Sequence, residues 1–154
     1  MSWTFHPDDL DSPEVRSLLA FHFDEMQASS PPGACHVLAS EGLTLPDVTI
    51  WSVRENDWLL GVGALKELFP DHGEVKSMRT APEALGRGVG SALLDHIVAE
   101  AVRRGYRRLS LETGSTEPFV AALRLYRRAG FVPCQAFGSY REHAFSRFFT
   151  LDLR

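Results

Sequence analysis

Three strand-like segments follow one another between residues 48 and 80 with short connections. Val48–Arg54 and Trp58–Lys66 are rich in apolar residues, and the Glu55-Asn56-Asp57 segment between them is typical of a hairpin. Asp71-His72-Gly73 then turns the chain into the third segment, Glu74–Thr80. These connections predict antiparallel strands, because a parallel crossover needs about a dozen residues or more. An all-parallel, doubly wound sheet is therefore excluded.

The pattern changes to strand, helix, strand after residue 80. An amphipathic helix is predicted from Val89 to Gly105, a strand over residues 107–112, and a second helix from Thr116 to Gly130. The other predicted elements are a strand over residues 3–6, a helix that begins after Ser12, and strands over residues 131–137 and 145–153. Residues 34–47 fit a short helix and an irregular loop equally well. The succession predicts a mixed α/β fold with one parallel crossover.

Composition limits the class of protein. With 154 residues and 44% hydrophobic content, we expect a single domain over residues 1–154. A net charge of −4 predicts no nucleic-acid partner, since such binders carry a basic face. Cys35 and Cys134 have no metal-ligand spacing, so we expect no metal. The absence of a leader-like segment and of an apolar run of about 18 residues predicts a cytoplasmic protein with no membrane partner.

Glycines at positions 86, 88 and 90 stand between the third strand and the amphipathic helix. Glycine lets the backbone approach a ligand closely, and the first N–H groups of a helix face an anion with the positive end of the helix dipole behind them. A tight turn without a ligand is the simpler alternative. The spacing of the glycines and the helix that follows favour a phosphate or pyrophosphate site.

Two well-known phosphate loops can be compared with this segment. A P-loop requires Lys and then Ser or Thr after the last glycine, but Ser91-Ala92 follows here, so that interpretation fails. A dinucleotide-binding fingerprint requires glycine where Ser91 stands and belongs to a parallel βαβ array. A dinucleotide-dependent oxidoreductase therefore stays open as a weaker alternative.

Two motifs 35 residues apart together resemble the GNAT superfamily of acetyl-coenzyme A N-acyltransferases. The first is Leu85-Gly86-Arg87-Gly88-Val89-Gly90 after the third strand, and the second is Leu125-Tyr126-Arg127-Arg128-Ala129-Gly130-Phe131. The resemblance covers residues 48–137. It departs from the family pattern at Leu85, where Gln or Arg is usual, and at Phe119, where Asn is common.

The resemblance implies a GNAT fold. Its sheet would have six to seven mostly antiparallel strands, helices on both faces, and a V-shaped splay between the parallel strands 74–80 and 107–112. It also implies acetyl-coenzyme A as co-substrate and a small-molecule or peptide amine as acceptor. The acetyl group would pass to a primary amine by direct attack in a ternary complex. A non-catalytic acyl-coenzyme A sensor is the alternative, and both a monomer and a homodimer stay open.

The resemblance further implies which residues bind the coenzyme. The strand backbone would hold the pantetheine arm in the manner of an added β-strand, and the glycine turn would surround the pyrophosphate. The residues concerned are Met78, Arg79, Thr80, Arg87, Gly88, Val89, Gly90 and Ser91. Because Leu85 stands where the family has a polar residue, we expect binding of the pyrophosphate to depend on backbone N–H donors.

Two residues are the candidates for proton transfer. Tyr126 corresponds to the family's tyrosine and would protonate the departing thiolate, although it also fits the apolar face of its helix. Glu74, which opens the third strand, would remove a proton from the amine, or it could be a solvated strand start. Glu67 and Glu112 are the reserve candidates for the base. We interpret His22, on the apolar face of the first helix, as a core or boundary residue.

Overall fold

The computed structural model describes residues 2–7, 10–33, 35 and 40–153. Within these residues seven strands form one sheet: β1 (Thr4–Pro7), β2 (Val48–Glu55), β3 (Trp58–Phe69), β4 (His72–Thr80), β5 (Arg108–Gly114), β6 (Val132–Pro133) and β7 (Ser146–Asp152). Their spatial order is β1-β2-β3-β4-β5-β7-β6, and β4–β5 is the parallel pair. The other neighbours are antiparallel, which confirms the mixed, mostly antiparallel sheet.

Four α-helices accompany these strands in the described part of the chain. They are α1 (Pro13–Ser29), α2 (Ser40–Leu43), α3 (Val89–Arg103) and α4 (Val120–Arg128), with short 3-10 turns at Pro82–Ala84 and Glu117–Phe119. The predicted cap of α1 is confirmed, because the Ser12 side chain accepts a hydrogen bond from the Val15 N–H. The helix predicted from Thr116 begins instead with the second 3-10 turn.

The predicted hairpins are present and extend further than expected. Glu55 pairs with Trp58 across a two-residue turn in which Asn56 has a φ of 54°, a conformation that asparagine tolerates. β3 continues to Phe69 and β4 begins at His72, where the two strands pair around an equally short turn.

The prediction of a strand over residues 131–137 is wrong. Only Val132 and Pro133 pair with β7, and the chain then leaves the sheet. One further backbone hydrogen bond follows, from the Cys134 N–H to the Phe148 carbonyl at 2.9 Å, and Pro133 itself has no N–H to donate to the ladder. Phe137 packs on Phe148 of β7, with ring centroids 5.8 Å apart. The apolar spacing of this segment thus serves packing on the sheet and not strand pairing.

Alternate residues of β3 face the helices on the two sides of the sheet. Leu60, Val62 and Ala64 are buried in one cluster with residues of α1. On the other face, a Cβ added at Gly61 or Gly63 would lie 3.0–3.1 Å from side-chain atoms of α3. The absence of side chains at these glycines lets α3 pack closely, and helices cover both faces as the resemblance implied.

The parallel strands β4 and β5 separate soon after they meet. They pair only from His72–Arg108 to Glu74–Ser110, while β4 continues to Thr80 and β5 to Gly114. A β-bulge distorts β4 just beyond this point, where Gly63 of β3 stands opposite both Ser77 and Met78. The sheet is therefore open between the carboxyl ends of two neighbouring strands, as in the predicted V-shaped splay.

Candidate functional site

A cleft of about 570 Å³ occupies the gap between β4 and β5. Pockets that hold small molecules and cofactors commonly measure about 300–1,000 Å³. Its walls come from β4 (Glu74–Thr80), the glycine turn and the start of α3, the end of β5 (Glu112–Gly114), α4, and the second half of α1. Five separate elements therefore meet around one cleft.

The glycine turn lies at one end of this cleft. Gly86 and Gly88 have φ values of 80° and 83°, which a residue with a Cβ adopts only with strain. Gly88 is the N-cap residue of α3 and has no side chain to satisfy the free N–H groups of the first turn. Gly90 instead packs against Leu125 of α4, 3.2 Å from the position of an added Cβ. The turn thus presents backbone donors at the positive end of a 15-residue helix.

The structure brings nearly all the predicted site residues into the walls of this cleft. They are Glu74, Met78, Arg79, Thr80, Gly88, Val89, Gly90, Ser91 and Tyr126. Arg87 is outside these walls: its guanidinium pairs with Glu55 at 2.9 Å and lies over the Trp3 ring. The reserve candidate Glu67 is also outside them and accepts a hydrogen bond from the Tyr106 hydroxyl at 2.8 Å.

Tyr126 reaches the cleft from the face of the sheet that α3 covers. It is 7% exposed and belongs to a buried cluster with Leu109 and Leu111 of β5. Burial, together with the charge of Glu112, raises the pKa of its hydroxyl to about 12. The hydroxyl therefore keeps its proton at neutral pH.

Glu74 lies at the closed end of the cleft, where β4 and β5 still pair, and is 2% exposed. Its Oε2 accepts a hydrogen bond from Lys76 Nζ at 3.2 Å and another from the Tyr140 hydroxyl. Lys76 also donates to the Tyr140 oxygen at 2.7 Å. These three side chains form a buried polar triad, which excludes the interpretation of Glu74 as a solvated strand start.

Sequence reasoning missed both partners of Glu74. Lys76 could have been found, because residues two apart on a strand share a face of the sheet. Tyr140 is 66 residues from Glu74 in the chain, in the segment that leaves the sheet after β6. No local pattern indicates that contact.

Glu112, a reserve candidate, is the second carboxyl group of the cleft. It lies two residues beyond Ser110, the partner of Glu74, and therefore on the same face of the sheet. Burial and, to a smaller extent, the charge of Glu74 raise its pKa to about 7, although the charge of Lys76 acts in the opposite direction. Its carboxyl group is thus close to half-protonated at neutral pH.

Arg79 extends onto the face of the sheet that α1 covers, because it pairs with Val62. Its Nε donates a hydrogen bond to His22 Nδ1 at 2.9 Å, and its guanidinium lies over the Phe21 ring. Burial and the charge of Arg79 lower the pKa of His22 to about 3, so the imidazole is a neutral acceptor. The interpretation of His22 as a core or boundary residue agrees with its burial, but it omitted the hydrogen bond that positions Arg79.

Apolar side chains line the same cleft near the end of β5. Phe119 and Phe145 pack edge to face with centroids 5.4 Å apart, and Met26 of α1 lies against them. A Cβ at Gly114 would come within 2.5 Å of both rings, so only glycine fits at the end of β5. Phe119 is the residue at which the chain departs from the family pattern.

The described residues contain neither a membrane-spanning helix nor a metal-binding cluster. No helix among them combines the length and the apolar character needed to cross a membrane. In the same part of the chain, no group of three or more His, Cys, Asp or Glu side chains is placed to hold a metal ion.

Comparison with known proteins identifies relatives of the whole chain. A family model described as acetyltransferase (GNAT) family matches residues 12–131. A protein of Escherichia coli strain K12, named uncharacterized N-acetyltransferase YedL, is 48% identical over 98% of this chain and 95% of its own. A protein of Azospirillum brasilense, named IAA acetyltransferase, is 34% identical over 80% of each chain.

Solved structures share the fold. An acyl-CoA N-acyltransferase structure from Klebsiella pneumoniae superimposes with a TM-score of 0.80 at 26% identity, covering 99% of this chain and 98% of the other. A GNAT family acetyltransferase from Elizabethkingia anophelis, crystallised with acetyl-CoA bound, gives a TM-score of 0.72 at 20% identity and 98% coverage of both chains. At that identity the second likeness shows the fold alone.

The splayed, mostly antiparallel sheet with a glycine turn at the start of a helix is a mixed α/β architecture that this chain shares with an acyltransferase of known structure. The family match over most of the chain makes the assignment specific: the protein belongs to the acetyltransferase (GNAT) family.

The neutral state of His22 predicts a pH dependence of stability. The folded-state pKa of His22 lies below its unfolded value, so the stability that it contributes is present above about pH 6.5 and is lost as the pH falls towards 3. Between about pH 7.5 and about pH 5, we expect wild type to lose about 2 kcal/mol more unfolding free energy than His22→Gln. Denaturant titrations at both pH values measure this difference, and equal losses in the two proteins would contradict it.

Proposed function

We propose that this protein transfers the acetyl group of acetyl-coenzyme A to a primary amine by direct attack in a ternary complex. One observation carries the proposal: the free edge of β4 leads to the donors at the start of α3, and Tyr126, Glu74 and Glu112 line the same cleft. GNAT acetyltransferases act on amine acceptors, and a relative of this fold was crystallised with acetyl-CoA bound.

The cleft fits the parts of the coenzyme. Beyond Glu74 no described strand pairs with the β5 side of β4, so its backbone groups are available to an extended pantetheine arm. Ser77 lines the cleft, has a φ of 56°, and its buried hydroxyl has no hydrogen-bond partner among the described residues. The free N–H groups after Gly88 suit a pyrophosphate.

Removal of the amine proton is assigned to a carboxylate. Glu74 is the first candidate: Lys76 and Tyr140 hold its Oε2 in one position, and Glu74 would take the proton itself or through a water molecule that it orients. Glu112 is the second candidate, since a carboxyl group with a pKa near 7 suits a general base at neutral pH. Both lie on the face that α1 covers, so we place the amine there.

Tyr126 is assigned the role of general acid, which donates a proton to the leaving thiolate. As the amine nitrogen forms its bond to the acyl carbon and the carbon–sulfur bond breaks, the Tyr126 hydroxyl gives its proton to the departing sulfur. Backbone N–H groups at the β4 bulge would polarise the carbonyl oxygen. The acid and the carboxylates approach the cleft from opposite faces of the sheet, which separates the two proton transfers.

Gly88→Glu tests the coenzyme site, with Gly105→Glu as a matched control. Both glycines have φ values of 83–84° and open space around an added Cβ, but Gly105 lies beyond the other end of α3. We expect calorimetry to show acetyl-CoA binding by wild type and Gly105→Glu, and at least about tenfold weaker binding by Gly88→Glu, which places a negative charge beside the phosphates. No binding by wild type would overturn the proposed function. Equal weakening by both substitutions would contradict the assignment of the phosphates to this turn.

Tyr126→Phe separates catalysis from binding. We expect kcat, measured as release of the coenzyme thiol, to fall by about 10²- to 10⁴-fold, because general acid catalysis contributes about that much. The Kd of acetyl-CoA should stay within about twofold. Unchanged turnover in Tyr126→Phe would show that Tyr126 only packs in the core. If wild type binds the coenzyme but releases no thiol with any amine, the protein would instead be a sensor.

Glu74→Gln and Glu112→Gln, each measured across the pH range, identify the base. We expect Glu74→Gln to lower kcat by about 10²- to 10⁴-fold, because the carboxylate that finally accepts the amine proton, directly or through a water molecule, is replaced by a neutral amide. Glu112→Gln should retain the larger share of activity. If wild type shows a fall of kcat below about pH 7 and Glu112→Gln abolishes it, Glu112 is the base. The pKa of its carboxyl group, about 7, matches the pH at which that fall would begin.

A further inference from the structure

The charged groups in the cleft are separated along the face that α1 covers. Glu74 and Glu112 lie near the closed end of the splay, whereas Arg79 is next to the last residue of β4, at the open end. α3, whose first turn is assigned to the coenzyme phosphates, covers the other face. The Arg79 guanidinium therefore lies on the side assigned to the acceptor.

Arg79 is held in place by a group that does not cancel its charge. His22 accepts the Nε hydrogen bond as a neutral imidazole, and Phe21 offers an aromatic face with its ring centroid 5.4 Å away. Glu25 acts on Arg79 only at longer range: no described carboxylate oxygen lies within 4.0 Å of the guanidinium. Arginine stays protonated in proteins and has five N–H donors, of which Nε uses one here.

A carboxylate is the group that this arrangement recognises best. The planar guanidinium can give two parallel hydrogen bonds to a carboxylate, and with Nε fixed by His22 the terminal nitrogens are oriented in advance. The half-buried position of Arg79 strengthens such a pair relative to one in open water.

The apolar wall of the cleft adds a second requirement. Met26, one helical turn after His22 on α1, packs with Phe119 and Phe145, and all three line the cleft. These side chains offer an apolar and aromatic surface beside the guanidinium. An acceptor that contacts both the guanidinium and this apolar surface carries a carboxylate and an apolar group.

We propose that the acceptor is an amino acid with an apolar or aromatic side chain, whose carboxylate binds Arg79 and whose amine faces Glu74 and Glu112. The inference rests on the proposed acetyl transfer and names the substrate class of that site. A zwitterion matches the separated charges of the cleft, with its ammonium end towards the carboxylates and its carboxylate towards the guanidinium. Its side chain packs against Met26, Phe119 and Phe145.

The test compares phenylalanine with 2-phenylethylamine, which has the same ring and amine but no carboxylate. The readout is kcat/KM from thiol release, corrected for the fraction of neutral amine. We expect wild type to prefer phenylalanine by about 10- to 100-fold, the usual effect of hydrogen bonds to a charged group. Arg79→Met should bring the ratio close to one, and Arg79→Lys, which keeps the charge without the planar fork, should retain part of the preference.

Each remaining outcome overturns the inference. Two concern the ratio of kcat/KM for phenylalanine to that for 2-phenylethylamine: a ratio near one in wild type, and an unchanged ratio in Arg79→Met, with or without a loss of acetyl-CoA affinity. The last is coenzyme binding by wild type without acetylation of phenylalanine. The ratio does not depend on the fraction of folded enzyme, and wild type alone tests the preference if Arg79→Met fails to fold. Failure of the proposed function is distinct, because it appears as no acetyl-CoA binding by wild type, or as binding without thiol release with any amine, whether or not that amine carries a carboxylate.

Discussion

The separation of β4 from β5 after one short stretch of parallel pairing is the constraint on which the rest of the site depends. A continuous ladder would consume the backbone groups of β4 and close the sheet. Because pairing stops at Glu74 and Ser110, the far half of β4 keeps a free edge and the cleft opens between two strands that remain anchored at their other ends. The bulge at Ser77 and Met78 lies just beyond Glu74, the last residue of β4 that pairs with β5. Beyond it, β4 lines the cleft.

The splay also explains why charged groups can be buried here. Glu74, at the closed end, is almost fully removed from water, yet it is accompanied by Lys76 and Tyr140, which limits the cost of burying its charge. Burial raises the pKa of the Glu112 carboxyl group, and the charge of Lys76 offsets only part of that effect. Arg79 is fixed by a neutral imidazole, so its charge remains available. Three ionisable groups on one face thus have three different electrostatic environments.

Much of the fold could be predicted from local patterns. The three consecutive strands, the cap at Ser12 and the helix after Val89 are confirmed, because periodicity and turn chemistry act over a few residues. The strand over residues 131–137 could not be predicted correctly, since apolar residues that pack on a sheet resemble those within it. The family resemblance placed Tyr126 and the glycine turn in one cleft. Their chemical roles stay predictions until the variants are measured.

The sequence by itself determined the class of fold and the position of the glycine turn, because both depend on neighbouring residues: short connections, glycine spacing and an amphipathic helix. Only the tertiary structure decided the surroundings of the charged groups. Tyr140 reaches Glu74 from 66 residues away, and His22 of α1 meets Arg79 of β4. The pKa of each group depends on burial and on charges brought close by folding, and no local pattern carries that information.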